Sequence, residues 1–189
     1  MNTLKAEKRS MDVKAKKLRR EGFVTGNLFG REIEGSIPLK FTKKEIEVLL
    51  KNNNKGSQVM LELDGKTYDA LIKEVDYNPL AHTVEEVDFQ ALVSNEMVHS
   101  TAEIILENEE KVLSGVLQDE LKEVAYKALP ADLVDKIKVD VAGMKIGDTL
   151  RVKDLEIAKN KNIHITTDLE AVIATVTPVH NVVPETETE

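Results

Sequence analysis

Seven cations, Lys8, Arg9, Lys14, Lys16, Lys17, Arg19 and Arg20, fall within residues 8–20, opposed there only by Asp12. Cations at this density attract a polyanion, most often a phosphate backbone. Arginine adds a two-pronged hydrogen-bonding geometry toward phosphate that lysine lacks. A charge run also reads as a solvated, lysine-rich loop. Three features favour the phosphate reading: the mixture of Arg with Lys, a position between two strand-like segments, and an end at Phe29-Gly30, an aromatic beside a flexible turn.

Other chemistries find no footing. His82, His99, His164 and His180 are far apart, with no second ligand at metal spacing, and cysteine is absent. The chain carries no G-x-S-x-G elbow, P-loop or G-x-G-x-x-G turn. No catalytic residue, metal or cofactor is therefore expected, and the chain is predicted not to be an enzyme.

The elements that must position the basic run are mostly strands. With 41% hydrophobic and only 4% aromatic residues, the cores must be built from Val, Ile and Leu. Residues 2–9 alternate loosely as a first strand, 12–22 form a short helix or ordered loop, and 24–29 a second strand with Gly26 at a bulge or close approach. Residues 31–41 alternate as a third strand. Thr42 and Glu45 form a capping box opening a helix with Ile46, Leu49 and Leu50 on its apolar face. Residues 58–63 and 66–75 flank Asp64-Gly65, the signal of a type I′ hairpin. After a turn at 77–79, residues 83–92 return as a strand. About six short strands in 90 residues suit a small closed barrel.

A boundary is expected at Ser94-Asn95, dividing residues 1–93 from a second β-rich domain, 94–180, and an acidic, disordered tail, 181–189. In the second domain, strands are predicted over 98–106, 116–126, 137–141, 149–152, 163–165 and 171–176. Short helical pieces are predicted from Pro130 through Ile137 and over 154–158. The net charge of -8 divides as +1 for residues 1–90 and -9 for the rest. The second half is thus expected to avoid nucleic acid or to face a basic protein. No run approaches the ~18 apolar residues of a membrane span, so a cytoplasmic protein without membrane contact is expected.

Arg9, Ala15-Lys16-Lys17-Leu18-Arg19, Leu28-Phe29-Gly30, Ile72-Lys73-Glu74-Val75 to Asn78-Pro79, and Val87-Asp88-Phe89 occur in an ordered, specific spacing. Together they resemble the bacterial large-subunit ribosomal protein family that includes the general stress protein Ctc and binds 5S ribosomal RNA. Leu129-Pro130-Ala131-Asp132, Val139-Asp140-Val141, Ile146-Gly147-Asp148 and Val152-Lys153-Asp154-Leu155 resemble the C-terminal β domain of its two-domain form.

The resemblance implies a six-stranded N-terminal β-barrel docking on 5S ribosomal RNA, within the large ribosomal subunit and beside neighbouring ribosomal proteins. A stress-associated role is implied with it. Arg9, Lys14, Lys16, Lys17 and Arg19 would hold phosphates, with Phe29 and Lys73 on the same face. Asp88 would accept from a base, a hydroxyl or a neighbouring side chain; alternatively it ties down a turn, and Lys73 is an ordinary exposed strand residue. The sequence departs from the family pattern at Thr25 (Pro), Phe29 (Tyr), Asp76 (Gln) and Glu86 (His). Asp76 and Glu86 place carboxylates on a face expected to meet phosphate, each at a cost of one to a few kcal/mol of order. A protein-interaction module that keeps the fold with weakened RNA binding is the alternative reading.

Overall fold

The computed structural model describes residues 3–112 and 114–178. Its first half is a closed barrel of six strands: β1 (Thr3–Lys8), β2 (Phe23–Phe29), β3 (Ser36–Thr42), β4 (Gln58–Leu63), β5 (Lys66–Asn78) and β6 (Thr83–Ala91). The order around the barrel is β1-β3-β2-β6-β5-β4, closed by parallel pairing of β4 with β1. Closure leaves no open edge, so every strand has a paired neighbour on both sides. Leu28, Leu39, Phe41, Leu61, Ile72 and Phe89 fill the interior, with Phe41 and Phe89 rings 5.4 Å apart.

Two helices sit in the connections, α1 (Ala15–Arg20) and α2 (Lys43–Leu50). The capping box opening α2 is present, and Ile46 and Leu49 are buried from it. Asp64 and Gly65 both have positive φ, 51° and 76°, as a type I′ turn requires. The third strand is shorter than its alternation predicts. Residues 31–35 form a turn, held by the Ile33 N–H donating to Gly30 O, with Gly35 at φ +75°.

The second half carries two open sheets. One, in the order β10-β7-β9-β12, uses β7 (Val98–Glu107), β9 (Glu123–Ala128), β10 (Lys136–Asp140) and β12 (His164–Ile165). The other, in the order β11-β13-β8, uses β8 (Val116–Asp119), β11 (Thr149–Arg151) and β13 (Val172–Thr177). The single strand expected over 116–126 is therefore two strands in different sheets. The chain crosses between them at residues 120–122, where Glu120 and Leu121 still donate to Ile173 O and Lys122 O already accepts from Ile104. An alternating pattern cannot report such a crossing, because the apolar side keeps facing one shared core.

The helix expected from Pro130 through Ile137 is a single 3-10 turn, Pro130–Asp132. The buried Tyr126 hydroxyl donates to Val134 O (2.6 Å) and accepts from Val134 N–H (2.7 Å), removing both groups a helix would need. The tail proposed for 181–189 lies outside the described residues.

Barrel and second domain meet along the Asn52–Ser57 turn and β7. Gly56, at φ +89°, approaches Thr101 so closely that a Cβ there would stand 1.9 Å from the Thr101 carbonyl oxygen. Ser57 donates to Asp135 across this junction, and Asn54 bonds Glu103. Leu71 faces away from the barrel core yet is fully buried, lining a crevice with Thr101 and Ala125.

Candidate nucleic-acid interface

α1 has one apolar anchor, Leu18, which is buried, and four cations on the remaining positions. Lys17, Arg19 and Arg20 occupy its last turn, where the negative end of the helix dipole favours them. Gly22, at φ +88°, ends the helix in the left-handed conformation and turns the chain into β2. Lys14, Lys16 and Arg20 are exposed, and Lys17 is exposed with one loose partner, Glu21, at 3.9 Å. Arg9 leads into this loop: its guanidinium donates to Val13 O at 3.2 Å, while its enclosed Nε has no acceptor among the described residues. The loop thus holds a compact spray of solvated ammonium groups.

Arg19 has a different environment. Its Nε donates to Glu85 O (3.1 Å), one Nη pairs with the Glu85 carboxylate (3.2 Å), and the other reaches Glu86 (3.2 Å) and Thr25 Oγ1 (3.5 Å). The guanidinium that the sequence nominates for phosphate is therefore a brace tying α1 to β2 and β6. Two of the departures from the family pattern meet there, since Thr25 and Glu86 both bond Arg19. Glu86 consequently faces an internal cation as well as solvent, which reduces the repulsion it would exert on phosphate.

Asp88 is also occupied. The parallel β2–β6 ladder is interrupted between Thr25 and Leu28, where Gly26 presses against Val87; a Cβ there would lie 2.0 Å from the Val87 carbonyl oxygen. Asp88 fills the interruption, accepting from Asn27 N–H at 2.9 Å and Asn27 Nδ2 at 3.1 Å. A charge-assisted bond to backbone is a strong way to close such a gap. Of the readings left open for Asp88, this is a structural tie to a neighbour.

The remaining candidates spread along the outer face of β2-β6-β5. Asp76 is exposed and registers with Glu86 across the β5–β6 pair. Phe29 is half-buried at the end of β2, between Ser36 and Gln90. Lys73 stands three residues before Asp76, about 10 Å along the strand, and leaves the group altogether. Its Nζ donates to His99 O (2.7 Å) at the domain junction. Burial, and then the nearby Lys55, hold its ammonium below the usual lysine range, with Glu74 opposing.

Sequence reasoning missed Glu85, Thr25 and Asn27 as members of this network. Their contacts to Arg19 and Asp88 span 60 or more residues, apart from Thr25 to Arg19, so no local pattern marks them. The arrangement offers solvated cations beside a sheet face and no chemistry for bond cleavage. No metal-competent group of His, Asp or Glu occurs among the described residues.

Comparison with known proteins gives one consistent result. A family model described as the Ribosomal L25p family matches residues 4–89, and one described as Ribosomal protein TL5, C-terminal domain, matches residues 97–180. The chain is 32% identical to large ribosomal subunit protein bL25 of Carboxydothermus hydrogenoformans over 190 residues, covering 96% of this chain and 94% of that protein. It is 30% identical to bL25 of Bacillus velezensis over 183 residues, covering 94% and 89% of the two chains.

Proposed function

The chain belongs to the bacterial large-subunit ribosomal protein bL25 family, and from that premise we propose that its N-terminal unit, residues 1–93, binds 5S ribosomal RNA. Family membership makes it a structural, non-enzymatic protein associated with the large ribosomal subunit and its proteins. The finer reading rests chiefly on one observation: Lys14, Lys16, Lys17 and Arg20 stay solvated on a helix braced against the barrel by Arg19. A-form RNA presents phosphates and 2′-hydroxyls over a wide minor groove, so contacts from such a rigid spray are to backbone and shape more than to bases.

The test is filter binding of the full chain to cognate 5S RNA across a salt series. Wild type should bind with a steep salt dependence, and Lys14→Ala/Lys16→Ala/Lys17→Ala should lower the log–log slope by about three and weaken binding at every salt concentration. An unchanged slope would sink α1 as the phosphate contact. Arg19→Ala should weaken binding by displacing α1, so it should also lower the unfolding midpoint.

The second reading, a protein-interaction module with weakened RNA binding, draws on the internal pairing of Arg19 and the exposed Asp76. It requires no retention of 5S RNA at physiological salt. Stress association belongs to the proposal too, and ribosome occupancy before and after heat shock tests it.

A further inference from the structure

The second domain is acidic overall, yet its first sheet carries a basic row, and the His99 end of that row lines a crevice with the barrel. His99 on β7 registers with Lys127 on β9, which registers with His164 on β12. All three residues are exposed, and side chains at registered positions share a face, with neighbouring strands about 4.8 Å apart. The barrel completes the cluster from the other side. Lys73 reaches across to His99 O, and Lys55 stands beside it, paired only at 3.6 Å with Glu74.

Between these groups lies a crevice of 190 Å³, walled by Lys55, Lys73, Glu74, His99 and Thr101. Glu74 is the one carboxylate among those lining residues, against two lysines on the walls and Lys127 at the margin. The Thr101 hydroxyl is enclosed with no hydrogen-bond partner among the described residues. Desolvation first, and then Lys127 and Lys73, push the His99 imidazole below its usual value.

We infer that the crevice between barrel and second domain is a phosphate-binding site, with Lys55, Lys73 and Lys127 supplying charge and His99 and Thr101 supplying hydrogen bonds. Lysine ammonium groups bind phosphate as point charges and need no fixed fork. The phosphate can come from an RNA backbone or from a free phosphate. The RNA source rests on the reading of the N-terminal unit given above, because Lys73 lies about 10 Å along β5 from the face that carries Asp76. The second domain then takes part in anion binding despite its -9 half, because ligands respond to local potential, which a Debye length of about 8 Å confines at physiological salt.

The test uses the full chain and two probes. In the first arm, cognate 5S RNA is titrated across a salt series with wild type and Lys127→Glu. Lys127 is exposed, so its reversal leaves the fold intact, and a near-wild-type unfolding curve checks this. The variant should bind roughly tenfold more weakly, with the slope lower by about one. In the second arm, inorganic phosphate is titrated while the His99 and His164 ring carbon–proton shifts are followed; they should move saturably in wild type and much less in Lys127→Glu. An RNA effect assigns the site to the RNA backbone. Saturable shifts without an RNA effect assign it to free phosphate. If neither arm responds to Lys127→Glu, the site is overturned. If wild type fails to bind 5S RNA at all, the N-terminal reading fails and the phosphate arm alone judges the crevice. If the α1 lysine variant weakens RNA binding while Lys127→Glu changes nothing in either arm, the crevice alone fails.

Discussion

Barrel and second domain solve the same packing problem in opposite ways. The barrel closes on itself, so its backbone groups are paired around a full circuit and one continuous core fills the inside. The second domain leaves two small sheets open, with a strand as short as His164–Ile165 at one edge. It relies on side-chain props, above all the Tyr126 hydroxyl in the Val134 backbone. A closed frame is stiff and intolerant of added volume but holds its outer face steady for a partner. An open one depends on single polar contacts.

The largest expected effect attacks the closed frame. Gly26→Ala forces a methyl against the Val87 carbonyl, and the barrel cannot spread there without breaking its circuit. Chemical denaturation should show a loss of roughly 3 kcal/mol or more for the barrel. Gly56→Ala, at the junction, should move the unfolding transitions of barrel and second domain further apart, because the added methyl meets the Thr101 carbonyl oxygen. Unshifted transitions in both variants would contradict the close approaches described at these glycines.

Next comes the prop. Tyr126→Phe keeps the ring but leaves the Val134 N–H and C=O without their partner, at a cost of about 1–3 kcal/mol. The loss should appear in the second domain's transition and spare the barrel's. If the barrel's transition moves equally, the two regions are one cooperative unit and the contrast fails.

A smaller effect concerns the brace. Glu86→Gln removes one of two carboxylates from a partly exposed Arg19 pair, so stability should change by less than about 1 kcal/mol. RNA affinity should change less on Glu86→Gln than on Asp76→Gln, because Asp76 is exposed without an ion pair among the described residues. A larger gain from Glu86→Gln would show that pairing with Arg19 does not screen it.

The smallest expected effect is a pH dependence at Asp140. The Ala142 N–H, and then the Asn108 amide, hold its carboxyl below the usual carboxylate range. Its folded value lies under its unfolded value, so its contribution is present above about pH 4 and is lost as pH falls through the folded value. Acid unfolding of Asp140→Asn should therefore be slightly less steep than that of wild type, with the difference confined to the second domain.

Local patterns made much of the fold legible. Asp64-Gly65 with alternating flanks, and Thr42 with Glu45, dictate a hairpin and a helix start through geometry that needs no distant partner. The barrel follows from the number and spacing of the strands. The crossing at residues 120–122 and the extended backbone at Val134 were not legible. Each is decided by a contact with a strand or hydroxyl supplied from elsewhere in the chain.

The site divides in the same way. The density of cations on α1 was legible from the residues alone, since Leu18 is the one large apolar residue the short helix offers. That Arg19 is a brace, that Asp88 closes a gap in a ladder, and that Lys73 belongs to the domain junction became visible in the folded chain. The reason is reach. A charge's role depends on what stands within a few ångströms of it, and here those neighbours are mostly 26 to 67 residues away.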